Sequence, residues 1–295
     1  MPMTPQQQRA LLRQIRDHKR ALRTLERGFA GDVGKIAEDM YGRILSAVQG
    51  ELGAVTEMSQ AQMMSRVRAF IKSASNEAAS LMEDHAAAIT RRAAERSNET
   101  LALMTAGKLN PNIAEAARVF SHFEKMRSGG ELLSAWGGRE KYLAWWRETY
   151  GAGFDKTVRV LQDKFTRASL SGADWREVAK QITGTTGKLA AKDGVDPVVF
   201  AEAFARTKST ELANEASQRL GVAGGMELFI NLGIPDEVQS EECFESCQAG
   251  AMTLQEWEAY VHGPPPRHFS GCRCELSPVP FDPEIDWKNP KFDED

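Results

Sequence analysis

"SQAQMMSRVRAFIKSASNEAASLMEDHAAAIT", residues 59–90, places Met64, Val67, Ile71, Ala74, Ala78, Leu81, His85 and Ile89 at alternating spacings of three and four. Residues so spaced share one face of a helix. Ser59 with Gln62 three residues on reads as a capping box, each side chain satisfying a backbone N–H of the first turn. Gly107 and Pro111 mark the far end. An unbroken helix from 59 to 106 would extend on the order of 70 Å at the helical rise per residue. The polar stretch "TRRAAERSNET" (90–100) interrupts the apolar seam, which leaves two readings open, an unbroken helix or a break near residue 95. A long, alanine-rich helix with a sparse apolar stripe packs against other long helices or other chains. His85 on that face reads as a packed histidine rather than a ligand.

Outward from this helix the pattern stays helical. Leu11, Ile15, His18, Leu22, Leu25 and Phe29 form one stripe, and Gly28 and Gly31 then loosen it. The rest of that cylinder carries Arg9, Arg13, Arg16, Lys19, Arg20, Arg23 and Arg27 against Asp17 and Glu26. Two readings stand: a solvated face, or a surface lying against nucleic acid or an acidic partner. "SGGELLSAWGG" (128–138) is a glycine-rich joint and a candidate domain boundary. Beyond it Tyr142, Trp145, Trp146, Tyr150, Phe154 and Phe165 read as core rather than as a base-stacking surface. Gly151 and Gly153 divide that stretch into two helices, and Asp174 with Glu177 opens a short one through Ile182. "TGTTGK" (183–188) lacks the spacing and the preceding strand of a phosphate-binding loop. Asp196–Pro197 starts a helix running to about Arg219, ended by the glycines at 221, 224 and 225. Strand-like sequence appears only in "MELFIN" (226–231) and "CELSPV" (274–279), which could pair.

Composition bounds the class. The 295 residues are 42% hydrophobic and 26% charged, as in ordinary globular proteins. The start lacks the apolar core of a signal peptide, and no apolar run approaches the ~18 residues of a membrane span. A soluble chain made in the cytoplasm is expected. The net charge of −4 hides an asymmetry. From Asp236 onward 14 acidic residues face four basic ones, a net −10, and the remainder carries +6. A basic start and an acidic end point to two surfaces with different partners.

All four cysteines fall after residue 242, as Cys243, Cys247, Cys272 and Cys274, with His262 and His268 between the pairs. Zinc takes thiolate sulfur and imidazole nitrogen in a tetrahedron. Cys243 and Cys247 lie one helical turn apart, and Cys272 and Cys274 would point the same way in a strand. His268 competes for the fourth position. A structural zinc ion would pin a loop-rich segment poor in apolar residues. Two disulfides, or four reduced thiols, are the alternatives. A catalytic zinc would need an open position and a general base. Glu241, Glu242 and Glu245 are near in sequence, but acidic residues are common there, so the structural role is preferred.

"FARTKSTELANEASQRLG" (204–221), the aspartate of "GIPDE", the cysteine pair, "PPPRH" (264–268) and "CRCELSPV" (272–279) occur in an order that resembles the phage Mu protein F-like head morphogenesis family. The resemblance covers roughly residues 170–281, and "SGADWREVAKQI" is similar to the segment that precedes the pattern. Lys208 stands where that family tends to have a glutamate, with Glu211 one turn further on, and the first cysteine pair is spaced by three residues rather than two. The resemblance implies a minor head protein of a tailed phage or prophage. Such a protein is made in the host cytoplasm and sits inside the virion head near the portal, in several copies per particle. It implies contacts with portal and other head proteins, and no established catalysis. Arg206, Thr207, Glu211, Asn214 and Asp236 are expected to act structurally, packing the helix and pairing an arginine with a carboxylate.

The expected architecture is mainly α, a long helical N-terminal part followed by a small C-terminal α+β module clipped by zinc. The segments are 1–127, an aromatic-rich 128–169, a module over 170–281 and an acidic arm over 282–295. The alternative functions are a zinc-dependent hydrolase or nuclease, and a DNA-binding module acting through residues 9–27.

Overall fold

The computed structural model describes residues 4–105, 139–183, 197–231, 241–260 and 274–279. It is mainly helical with a small three-stranded antiparallel sheet near the C-terminal end. Two long helices come first, α1 (Pro5–Gly50) and α2 (Glu57–Thr105). Then follow α3 (Arg139–Ala152), α4 (Asp155–Ser171), α5 (Trp175–Thr183) and α6 (Pro197–Ala223). The last part holds β1 (Leu228–Asn231), α7 (Glu241–Gln248), β2 (Ala251–Met252), α8 (Leu254–Ala259) and β3 (Leu276–Val279). None of the described helices is long and apolar enough to cross a membrane.

Several expected boundaries move. α2 starts two residues earlier than expected because Thr56, not Ser59, is the cap. The Ser59 N–H donates to Thr56 Oγ1 at 3.2 Å, and the Thr56 N–H donates to Ser59 Oγ at 2.8 Å. Of the two readings of 90–100 the unbroken helix holds, and α1 runs through Gly28 and Gly31 as one helix. Gly107, Pro111 and the joint at 128–138 lie outside the described residues. α6 continues past Gly221 and closes at Gly224 and Gly225. There the Met226 N–H reaches the Gly221 carbonyl and the Gly225 N–H the Val222 carbonyl, each at 3.0 Å, which is the bonding of a Schellman end.

The chain divides into two compact units, each built from separated segments. One comprises Phe29–Glu83 and Glu140–Ala205. Its core is aromatic: Trp146 lies 4.6 Å from Phe204 between ring centroids, Tyr150 5.1 Å from Phe154, and Phe154 6.0 Å from Phe200. Tyr142, Trp146, Tyr150, Phe154 and Phe165 are all buried, as helical spacing predicts for core aromatics, while Trp145 is 36% exposed. Gly153 separates α3 from α4, and the Phe200 ring packs directly over it: a Cβ there would stand 1.9 Å from Phe200 Cε1, so the ring would have to move. Asp174 opens α5 by accepting the Arg176 N–H at 2.7 Å, the expected cap.

The other unit comprises Met1–Gly28, Asp84–Arg139 and Arg206–Asp295. Its sheet has the order β2–β1–β3, with Leu228 opposite Val279 and Asn231 opposite Leu276. The pairing of "MELFIN" with "CELSPV" is therefore real, and the two-residue strand β2 is added on the far side of β1. Successive side chains of a strand face opposite ways. Ile230 and Val279 pack with Leu11 and Ile15 of α1, whereas Phe229 and Leu276 pack with Trp257 of α8. The Trp257 indole N–H donates to the Phe229 carbonyl at 2.8 Å, so its one polar atom is satisfied.

Candidate functional site

Among the described residues the order β2–β1–β3 leaves β3 at an edge, with backbone groups that no described strand meets. Side chains from two helices meet them. The Asn214 carboxamide of α6 lies along β3 as a further strand would: its Nδ2 donates to the Cys274 carbonyl at 3.0 Å and its Oδ1 accepts the Leu276 N–H at 2.7 Å. Two residues on, Pro278 has no N–H to satisfy, and its carbonyl accepts from Arg96 of α2 at 3.0 Å. α6 can come this close because residue 221 is glycine, where a Cβ would stand 2.6 Å from the Pro278 Cβ.

Between these contacts sits Glu275, buried at 4% exposure. Its carboxylate accepts from Ser217 Oγ of α6 at 2.8 Å and lies 3.3 Å from His18 Nε2 of α1. Lys19, the next residue of α1, donates to the Glu275 carbonyl at 3.2 Å. Burial alone would raise the Glu275 carboxyl, but His18, Lys19 and Arg96 together outweigh it and hold it below the usual carboxylate range. Burial pushes His18 below its ordinary value, so near neutral pH the ring is neutral and its Nε2–H donates to Glu275. Burial also lowers Lys19, opposed by attraction to Glu275, Cys247 and Cys274. It lowers Arg96 to about 10, which leaves the guanidinium charged at pH 7. A cavity of about 30 Å³ opens beside Leu22 and Ala213 as well as Lys19, Glu26, Thr210 and Glu275, enough for a buried water.

Of the expected metal ligands, His268 and Cys272 lie outside the described residues. The other three carry reduced thiols. Cys243 and Cys274 are buried against each other, and Cys247 is half-buried one turn along α7. Among the described residues no three histidine, cysteine or acidic side chains form a group able to hold a metal ion. The thiols present thus supply two adjacent donors.

The structural set is partly brought together. Asn214 grips β3, and Thr207 is buried on the same helix. Glu211 takes both of its short contacts, 2.7 Å each, from Lys208 Nζ. Asp236 lies outside the described residues. On α1, Arg9, Arg13, Arg16, Arg20 and Arg27 are exposed and Arg23 is half-buried. Lys19 is a correction to the basic surface: at 5% exposure it points inward, because α1 turns this position toward β3. His18 lay on the apolar stripe, and Glu275 is the one charge in "CELSPV"; a lone carboxylate in a strand was the available signal for this cluster. Arg96 carried no such signal.

The chain matches no known protein family, curated protein or solved structure in the three comparisons made.

Proposed function

We propose that this chain is a minor head protein of a tailed phage or prophage, a structural component inside the head near the portal. One observation carries the reading. The segments on which the resemblance rests, the helix 204–221 and "CELSPV", lie far apart in sequence yet are built into one another through Asn214, Ser217 and Gly221. A motif order whose parts form a single tertiary unit supports a shared module rather than a chance succession of residues.

In this reading the clamped strand is the rigid part of the module, and portal and other head proteins are its partners. The exposed arginines of α1 (Arg9, Arg13, Arg16, Arg20 and Arg27) are the surface offered to packaged DNA or an acidic head protein. Contacts of that kind release counterions, so binding weakens steeply as salt rises.

The deciding experiment is quantitative mass spectrometry of purified particles and procapsids from cells carrying the phage or prophage that encodes this gene. A few to a few dozen copies per head are expected. Absence from both procapsids and mature particles would overturn the reading. Salt-dependent DNA binding without presence in particles would favour a free DNA-binding module instead.

A further inference from the structure

Cys243 and Cys274 are 31 positions apart in sequence, yet their side chains form a buried cluster of two. Each is fixed from its own side. The Cys274 carbonyl is held by Asn214 Nδ2, and the next strand residue by Asn214 Oδ1. The Cys243 carbonyl accepts from Ser246 Oγ, which itself accepts from Asn231 Nδ2 of β1 at 2.7 Å. Neither thiol depends on the other for its place, so their proximity follows from the packing of α7 and β3 on the same sheet. Side chains already in contact meet the first requirement for a bridge.

We propose that Cys243 and Cys274 are a redox pair that closes to a disulfide by exchange with a low-molecular-weight disulfide. One protein thiolate attacks the external disulfide and expels one small thiol, leaving a mixed disulfide. The second protein thiol then attacks the sulfur bound to the protein and expels the other. The protein loses two electrons and forms one S–S bond, and the external disulfide leaves as two thiols carrying the protons. Closure ties α7 covalently to β3, which in the reduced state is held by hydrogen bonds and packing alone. A reducing cytoplasm keeps the pair open and an oxidising exterior closes it.

The test uses the full-length protein, purified reduced and then equilibrated with oxidised glutathione. Thiols are blocked with N-ethylmaleimide, and the protein is digested without reduction for peptide mass spectrometry. A cross-linked pair of peptides carrying Cys243 and Cys274 is expected, abolished by dithiothreitol, absent in Cys243→Ser and Cys274→Ser, and retained in Cys247→Ser. Amide exchange at Leu276, Ser277 and Val279 should slow on oxidation of the wild type, a readout that does not depend on any variant folding. Three results would overturn the proposal: a lasting glutathione adduct without the cross-link, a disulfide that instead uses Cys247 or Cys272, or thiols shielded by bound zinc until a chelator removes it.

Discussion

Around Trp146 the buried groups are rings; around Glu275 they are charges and amides. The first unit fills its interior with Trp146, Tyr150, Phe154 and Phe204, whose contribution scales with the apolar area removed from water. The second buries His18, Lys19, Arg96 and Glu275 with Asn214 and Ser217, and each polar group there has to be answered by another. An apolar core tolerates any filling of about the right size. A polar one tolerates only the matching partner. The second unit therefore specifies where one short strand lies, and loses more when a single member is removed.

The largest effect should come from Glu275→Ala, which leaves Lys19 and Arg96 buried without their carboxylate. Breaking a buried pair in this way costs about 3–5 kcal/mol, measurable by urea unfolding. Trp146→Ala should cost a similar amount, about 3–5 kcal/mol, through a cavity. The two losses differ in how they are repaired. Glu275→Met combined with Lys19→Met should recover much of the stability, because apolar groups of similar volume can replace a buried carboxylate and the buried cation it attracts. If the double variant loses as much as the two singles summed, charge matching is not what holds β3. Asn214→Ala comes next, at about 2–4 kcal/mol. It leaves the Cys274 carbonyl and the Leu276 N–H buried and unanswered, each at about 1–2 kcal/mol, the lower part of the range for an unsatisfied buried group, and faster amide exchange at Leu276 would report it.

A smaller effect separates burial from pairing through pH. His85 is buried on α2 with Nε2 2.7 Å from Ser209 Oγ, and burial lowers its pKa from 6.5 to about 4. The unfolded chain then binds the proton first as pH falls. The stability due to His85 is complete above pH 6.5, declines through the window from 6.5 to 4 and is flat below it. A difference of about 2.5 pKa units corresponds to about 3 kcal/mol lost by pH 4. Unfolding curves of the wild type and His85→Asn should converge in pH dependence over this window if another group is responsible, and diverge if His85 is.

Periodicity made the helices legible, because burying an apolar stripe needs residues three and four apart. The pairing of β1 with β3 was legible too, since these were the only strand-like stretches. The stretch 90–100 stayed open between a break and a continuous helix for a definite reason: Arg96 looks like a solvated residue, but its guanidinium reaches the Pro278 carbonyl and so belongs to the buried face of α2. Composition cannot distinguish an arginine that caps a strand edge from one that faces water. The cysteine segment was legible as a cluster; its pairing was not, because which thiols meet depends on how α7 and β3 pack on β1. Neither were the compact units, which join stretches separated by whole segments of the other unit.

The smallest effect tests the finest distinction, between neighbours on α1. Lys19 and Arg20 read alike in sequence, as two cations of one basic helix. Lys19 is buried on the Glu275 carbonyl, whereas Arg20 is exposed and 3.4 Å from an equally solvated Asp17. Exposed pairs contribute about 0–1 kcal/mol and lose even that in salt, so Arg20→Met should change stability by about 0.5 kcal/mol or less and vanish from the unfolding curve at high salt. Lys19→Met should cost several times more and stay insensitive to salt, because its partners are out of solvent. Equal losses at the two positions would mean that α1 is not rotated as described, and the clamp on β3 would fall with it. If the arginine surface serves DNA or an acidic partner, binding should follow the opposite order: Arg20→Met weakens it and shallows its salt dependence, and Lys19→Met leaves both unchanged where the fold survives.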